Sequence, residues 1–431
     1  MSPQLSLIII VLALFVSIGI GWKTGKNIGY WSIAFAYVLG VFVFGLTTKE
    51  VLSAYPSGLL ITLIAIMAFY NYANANGAMG LLARKILYPM RNSVRLLPIG
   101  CFLVGWGMSA IIGSSAVTAF YPVIIYTIAL TAGWDPIIMT IASCFGNIAG
   151  ASMPWSQTGA IMKGILKDME WAENMELYVA KTAVLITIAM LAFFILAYIV
   201  TGSYKIKKVE MEKPEPFNAI QKKTLVVVAI VALFMIVPSI GKFMFPGTWL
   251  AKQAAKFDLG LVCYCGALLC GILNLGDEKA IIKSIPMGTF IMIMGCATLV
   301  GLAQKIGATE FLGKFIATSV PKMLIGPLLV LICGVLSLFS SYTTVIAVMF
   351  PVLPAIAAAS GLSPVYLLCC TLGGSLATSI SPFSSGGMMN MSFCPDPVER
   401  EKLFGKQIKT AVIAMCFYVV LSLVQFFAIL G

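Results

Sequence analysis

The chain has 431 residues and not one histidine, and only 10% of its residues are charged. Soluble domains carry about 25%. Sixteen acidic residues in all leave little from which to build a carboxylate or histidine centre. There is no HExxH, no GxSxG with a histidine partner, and no pair of aspartates inside an apolar segment. Intramembrane hydrolysis therefore has no machinery, and the chain does not read as an enzyme. Eleven cysteines are present, but no CxxC has a partner CxxC. Nearly all sit in apolar segments, so they read as small apolar filler, with no disulfide framework and no zinc site. No organic cofactor is implied.

What fills the chain is hydrocarbon. Sixty per cent of the residues are hydrophobic, which reads as an all-α integral membrane protein, expected in a bacterial cytoplasmic (inner) membrane with the lipid bilayer as its first partner. Residues 5–21 are too long for a signal-peptide core and lack a basic leader and a cleavage site, so they read as a retained span. Apolar segments near 5–21, 29–46, 56–76, 137–165, 177–201, 224–240, 258–275, 286–303, 364–392 and 408–430 give about ten transmembrane helices. With the N-terminus outside, most of the 28 basic residues fall in inner loops and the acidic stretch 167–176 lies outside. The net charge of +12 is then a matter of topology, and no nucleic acid partner is implied.

The most polar stretch, 202–223, reads as a cytoplasmic linker between residues 1–201 and 224–431. The two sides repeat. At an offset of 230, Pro56 meets Pro286, Gly58 meets Gly288, and Gly77-Ala78 meets Gly307-Ala308. At 228, Pro136 meets Pro364, and Gly146, Ala149, Pro154, Ser156 and Gly159 meet Gly374, Ala377, Pro382, Ser384 and Gly387. The topology makes the second half an inverted copy of the first. Inverted repeats with helices broken at matching places point to a secondary transporter, with its site at the breaks.

Each break, "GASMPWSQTG" (150–159) and "ATSISPFSSGG" (377–387), sets a proline among hydroxyls in mid-span. An unpaired backbone group in hydrocarbon is costly, so such a break is tolerated where it lines a cavity. A simple packing kink is the bland alternative for either break alone. Two further apolar stretches, 96–131 and 323–359, carry polar knots at 113–118 (GSSAVT) and 340–344 (SSYTT). They read as two re-entrant hairpins whose tips meet the breaks at the midplane. "FYPV" (120–123) answers "MFPV" (349–352), though that anchor leaves the tips out of register. The candidate substrate ligands are Ser114, Ser115, Ser340, Ser341, Thr343, Ser156 and Ser384, with Pro154 and Pro382 holding the breaks open. Gly113, Ser114, Asn147, Ser152, Thr344, Ser379 and Ser381 are the candidate sodium ligands. Half-helix N-termini suit an anion, and carbonyls and hydroxyls suit sodium. Asp135 reads as a loop residue, and Lys163 as a snorkelling side chain.

Hairpin tips rich in serine and threonine, followed by a broken helix with "PxS…G", resemble the divalent anion:sodium symporters and malonate/dicarboxylate carriers of the ion-transporter superfamily. "SISPFSSGG" (379–387) is the strongest match, and the likeness runs over roughly 29–430. The resemblance implies an elevator-type carrier, a homodimer, and one sodium site per hairpin–break pair. It also implies that Ser114-Ser115-Ala116 and Ser340-Ser341 to Thr344 stand where the family has Ser-Asn-Thr triplets. Neither stretch contains the asparagine. Interfacial arm helices would fall at 78–95 and 303–321. The resulting expectation is a secondary active transporter that moves a small organic anion, a di- or tricarboxylate, with sodium. Two alternatives are the membrane subunit of a binding-protein-dependent tripartite carrier and a cation/proton antiporter. The second would need a membrane carboxylate that the chain lacks.

Overall fold

The computed structural model describes residues 3–430 apart from 25, 94, 114–116, 119–120, 133, 168, 206–211, 245–248, 250–255, 258, 286, 309–310, 312–314, 316–317, 339–340, 393 and 395–396. Among the described residues every regular element is a helix. A segment in lipid must satisfy its own backbone, and a helix does so internally.

The first five helices are α1 (Pro3–Thr24), α2 (Ile28–Val38, with a π-turn to Val43), α3 (Thr48–Ser53), α4 (Ser57–Ala75) and α5 (Ala78–Leu87). A helix–tip–helix unit follows, α6 (Leu97–Ile112) and α7 (Tyr121–Ala132). Next comes an interrupted span, α8 (Pro136–Ala151) and α9 (Gln157–Leu166), and then α10 (Met175–Val200). The order then returns: α11 (Ala219–Met244), α12 (Leu259–Ile272), α13 (Glu278–Lys283) and α14 (Met287–Lys305). The second helix–tip–helix unit is α15 (Lys322–Leu338) with α16 (Tyr342–Met349) and α17 (Leu353–Ser360). The second interrupted span is α18 (Pro364–Ala377) and α19 (Ser385–Ser392), and α20 (Pro397–Leu423) ends the order.

Local chemistry explains the starts. Both interrupted spans open on a capping residue followed by proline, Asp135-Pro136 and Ser363-Pro364. Proline fits the first helical position because its missing N–H is not needed there. Asp135 is thus more than a loop residue. Its carboxylate accepts from Ile137 N at 3.1 Å and pairs with Lys406 Nζ at 2.6 Å. The six-residue helices α3 and α13 also recur. A capping box of Thr47 and Glu50 opens α3, and the Asp277 side chain opens α13. Neither helix is foreseen from sequence, because six residues are too few to show a period.

The halves exchange partners as a two-fold relation requires. Helix α2 packs on α14, and α4 on α12. Helix α6 packs on α8, and α15 on α18. One group of helices, α1–α4 with α11–α14, meets the other, α6–α10 with α15–α20, through α4 on α9 and α14 on α16, and through α11 on α6 and α10. At the α2–α14 crossing the backbones nearly touch: a Cβ on Gly29 would collide with the Ile291 carbonyl. Small residues permit such approaches between membrane helices.

The helices depart from the hydropathy reading in three ways. The last helix begins at Pro397, not near 408, because its charged first turns are helical too, with Lys402 and Glu399 paired at 2.8 Å. Among the described residues six segments are long and apolar enough to cross a membrane; the interrupted spans divide into shorter pieces, and α2 and α12 are shorter too. One of the six is 342–360, expected only as the second arm of a hairpin. It bends through a 3₁₀ turn at Phe350–Val352, where Pro351 and Pro354 deny backbone donors.

Candidate functional site

Helix stops at 152–156 and again at 378–384, inside the two apolar runs that would otherwise cross the membrane unbroken. Pro154 and Pro382 lie in these gaps, and both are buried. Each gap folds down onto the half-helix that follows. A Cβ on Gly159 would collide with the Met153 carbonyl, and one on Gly387 with the carbonyls of Ser381 and Ile380. Glycine is required at both places for that close approach.

Each gap is also fastened to the helix before the tip. Gly146 lies against the Phe102 carbonyl, where an added Cβ would come within 2.6 Å, and Gly374 against the Val330 carbonyl, within 2.5 Å. Trp155 Nε1 donates to Ala110 O at 2.8 Å, and Gln157 N to Gly113 O at 2.7 Å. In the second half Thr378 Oγ1 donates to Gly334 O at 2.8 Å and Ser381 Oγ to Leu338 O at 2.9 Å. Phe102 and Val330, Ala110 and Leu338, and Gly146 and Gly374 are each 228 positions apart. These contacts therefore put the helices before the tips and the broken helices on one offset of 228.

A hydrogen bond joins the first break to the second tip. Thr158 Oγ1 and Tyr342 Oη are 3.0 Å apart, and both side chains are buried. Thr158 is the second residue of α9, whose N-cap is Ser156; Tyr342 is the first residue of α16, whose N-cap is Ser341. The first break and the second tip thus bring two helix N-termini together. The leading N–H groups of a helix have no partner within it and carry partial positive charge. Residues 152–158, 341–344 and 378–384 include no acidic or basic side chain. Neither Thr158 nor Tyr342 stood among the sequence candidates. Tyr342 lies inside the polar run 340–344 that the sequence marked.

Ser114, Ser115 and Ser340 lie outside the described residues. Gly113 ends α6 in the left-handed region, with φ of 68°. Ser152 Oγ donates to Ile148 O at 2.8 Å and Ser379 Oγ to Leu376 O at 2.6 Å, bonds of the kind a packing kink makes. Ser156 Oγ sits 3.5 Å from Ala110 O and caps nothing. Ser341 Oγ and Thr343 Oγ1 are 2.6 Å apart. Ser384 Oγ reaches the carbonyls of Ser379 and Ser381, and accepts from Gly387 N at 3.2 Å. Asn147 is fully buried, and its Oδ1 has no partner among the described residues; Thr344 Oγ1 has none either. Lys163 is not a free snorkelling side chain. It pairs with Glu176 at 3.4 Å.

Among the described residues no group of three or more His, Cys, Asp or Glu is gathered for a metal. A cation here would be held by neutral oxygens, and the hydroxyl chemistry fits one. The hydrogens of Ser152, Ser379 and Ser381 are already donated to carbonyls, so what these groups present is lone pairs. Ser341 and Thr343 have two hydrogens and one bond between them, which leaves a donor for an anion.

Comparison with known proteins agrees with this architecture. Residues 1–151 match the family model of the N-terminus of the dicarboxylate carrier protein MatC, and residues 157–425 that of the sodium:sulfate symporter transmembrane region. No curated protein matches the chain. Among solved structures, the YdaH transporter of Alcanivorax borkumensis, whose crystal structure reveals an unusual topology, is similar in fold. Its TM-score is 0.56 at 13% identity, over 90% of this chain and 88% of that one. With more than half of its length inside one family model, the chain is a transport protein that belongs to the sodium:sulfate symporter family.

Proposed function

We propose that the chain is a secondary carrier that moves a small di- or tricarboxylate with sodium. The observation that carries the reading is the junction at Thr158 and Tyr342. Two positive helix ends are held together in a buried place with no acidic side chain to balance them, and the balance is a bound anion. The match of the first 151 residues to a dicarboxylate carrier model supports a carboxylate.

In this reading Ser156, Ser341 and Thr343, together with Ser114, Ser115 and Ser340, hydrogen-bond the anion, and Pro154 and Pro382 keep the gaps open. Gly113, Ser114, Asn147, Ser152, Thr344, Ser379 and Ser381 hold sodium. Ser384 joins the sodium set, because the carbonyls beside it already occupy its hydrogen. Cation and anion then raise each other's affinity by the same factor. Helices α6–α10 and α15–α20 move as a body past α1–α4 and α11–α14, with the second group forming the homodimer. Residues 202–223 link the halves on the cytoplasmic side.

Uptake of labelled succinate, malate, malonate, citrate and sulfate into proteoliposomes, with and without a sodium gradient, tests the reading. Sodium-driven uptake of at least one carboxylate is expected. Equal uptake driven by a proton gradient alone rejects the coupling, and uptake of sulfate alone rejects the carboxylate.

A further inference from the structure

Asn390 on α19 and Gln407 on α20 are both fully buried, and Asn390 Oδ1 and Gln407 Oε1 have no partner among the described residues. Their nitrogens are committed. Asn390 Nδ2 donates to Gly386 O at 3.0 Å and lies 3.1 Å from Cys144 Sγ, and Gln407 Nε2 donates to Gly387 O at 3.1 Å. Exchanging N and O in either amide would set oxygen against a carbonyl, so the orientation is settled by the bonds themselves. A buried hydroxyl without a partner can turn its hydrogen to find one. An amide oxygen can only accept, and left bare in the interior it is costly.

The two carboxamides dock on consecutive carbonyls of one helical turn. Helices α8, α19 and α20 all pack on one another, so this is a three-helix junction beside the second break. The only charge adjacent in the chain, Lys406, is already paired with Asp135 at 2.6 Å. The positions 228 earlier, Met162 and Val179, are apolar and buried. The feature therefore belongs to the second half alone.

We propose that the junction of α8, α19 and α20 is a further site for a monovalent cation, held by the amide oxygens of Asn390 and Gln407. It is separate from the sodium ligands at the breaks and has no twin in the first half. Neutral oxygen ligands suit such an ion. Bound there, it ties α19 to α20, so the second break responds to sodium in a way the first does not. The inference rests on the cation-coupled reading above.

The test uses the full chain, with sodium as the probe. Gln407→Met keeps length and volume but removes the acceptor, whereas Gln407→Glu keeps an oxygen at the same reach. The sodium dependence of uptake is measured in proteoliposomes, and the sodium-dependent shift in melting temperature is measured in detergent without substrate. For Gln407→Met the half-activating sodium concentration is expected to rise about tenfold and the Hill coefficient to fall. Gln407→Glu, which keeps an oxygen there, should not show that rise. An unchanged sodium curve in Gln407→Met means that water fills the junction, and overturns the proposal alone. A parent protein with no sodium response in either measurement overturns the coupling as well. Should Gln407→Met fail to fold, Asn390→Asp is expected to enlarge the sodium-dependent melting shift, and an unaltered shift overturns the site.

Discussion

Two buried threonines separate a local role from a waiting ligand. Thr298 on α14 donates to Met294 O of its own helix at 2.7 Å, whereas Thr344 Oγ1 has no partner among the described residues. Valine matches threonine in shape and lacks the oxygen. Thr344→Val is expected to raise the half-activating sodium concentration about five- to tenfold, and Thr298→Val to leave it unchanged; sodium-activation curves decide. Glycine carries the second residue-scale prediction. A methyl at Gly159 or Gly387 meets a main-chain carbonyl that cannot swing aside. Gly159→Ala and Gly387→Ala are expected to cost about 1–3 kcal/mol by overpacking. Uptake per folded molecule should fall more than the loss of folded protein explains, as uptake normalised to protein in the membrane would show. The matched serines, prolines and glycines were legible because they interrupt hydrocarbon twice at one offset. Asn390, Gln407 and Thr158 were not. One neutral amide or hydroxyl on a helix face reads the same whether it is satisfied or bare, and only the packed neighbours tell the two apart.

At the scale of elements, the bond between α9 and α16 is the joint of the proposed site. Tyr342→Phe and Thr158→Val each remove one side of it. The pair is expected to show coupling of about 1 kcal/mol in a double-mutant cycle, measured by thermal unfolding without substrate. Additive effects would mean that the two hydroxyls do not depend on each other. The helix–tip–helix units and the broken spans were visible in the sequence through their polar interruptions. The short α3 and α13 were hidden, because a capping box and one turn leave no hydropathy signal. The charged first turns of α20 were missed for the opposite reason. Hydropathy finds the part of a helix that lies in lipid and stops there.

At the scale of the molecule, α4 on α9 and α14 on α16 are among the contacts across which the two groups of helices must slide if they move as proposed. A Cβ built on Gly164 of α9 would lie 3.4 Å from Leu59 Cβ of α4, close to the separation a disulfide spans. Leu59→Cys with Gly164→Cys, in a background lacking the exposed Cys265 and Cys416, is expected to abolish uptake on oxidation and regain it on reduction. Full uptake by the cross-linked protein would show that these helices stay together throughout the cycle.

The constant spacing from Phe102 to Gly159 and from Val330 to Gly387 has a genetic corollary. The prolines near the two tips sit one step out of phase, yet both stretches have the same total length. Insertion or deletion of a single codon between Met153 and Gly159, or between Ser381 and Gly387, would carry each glycine away from the carbonyl it accommodates. The distance along the chain between a break and the glycine behind it is thus as fixed as the identity of either residue.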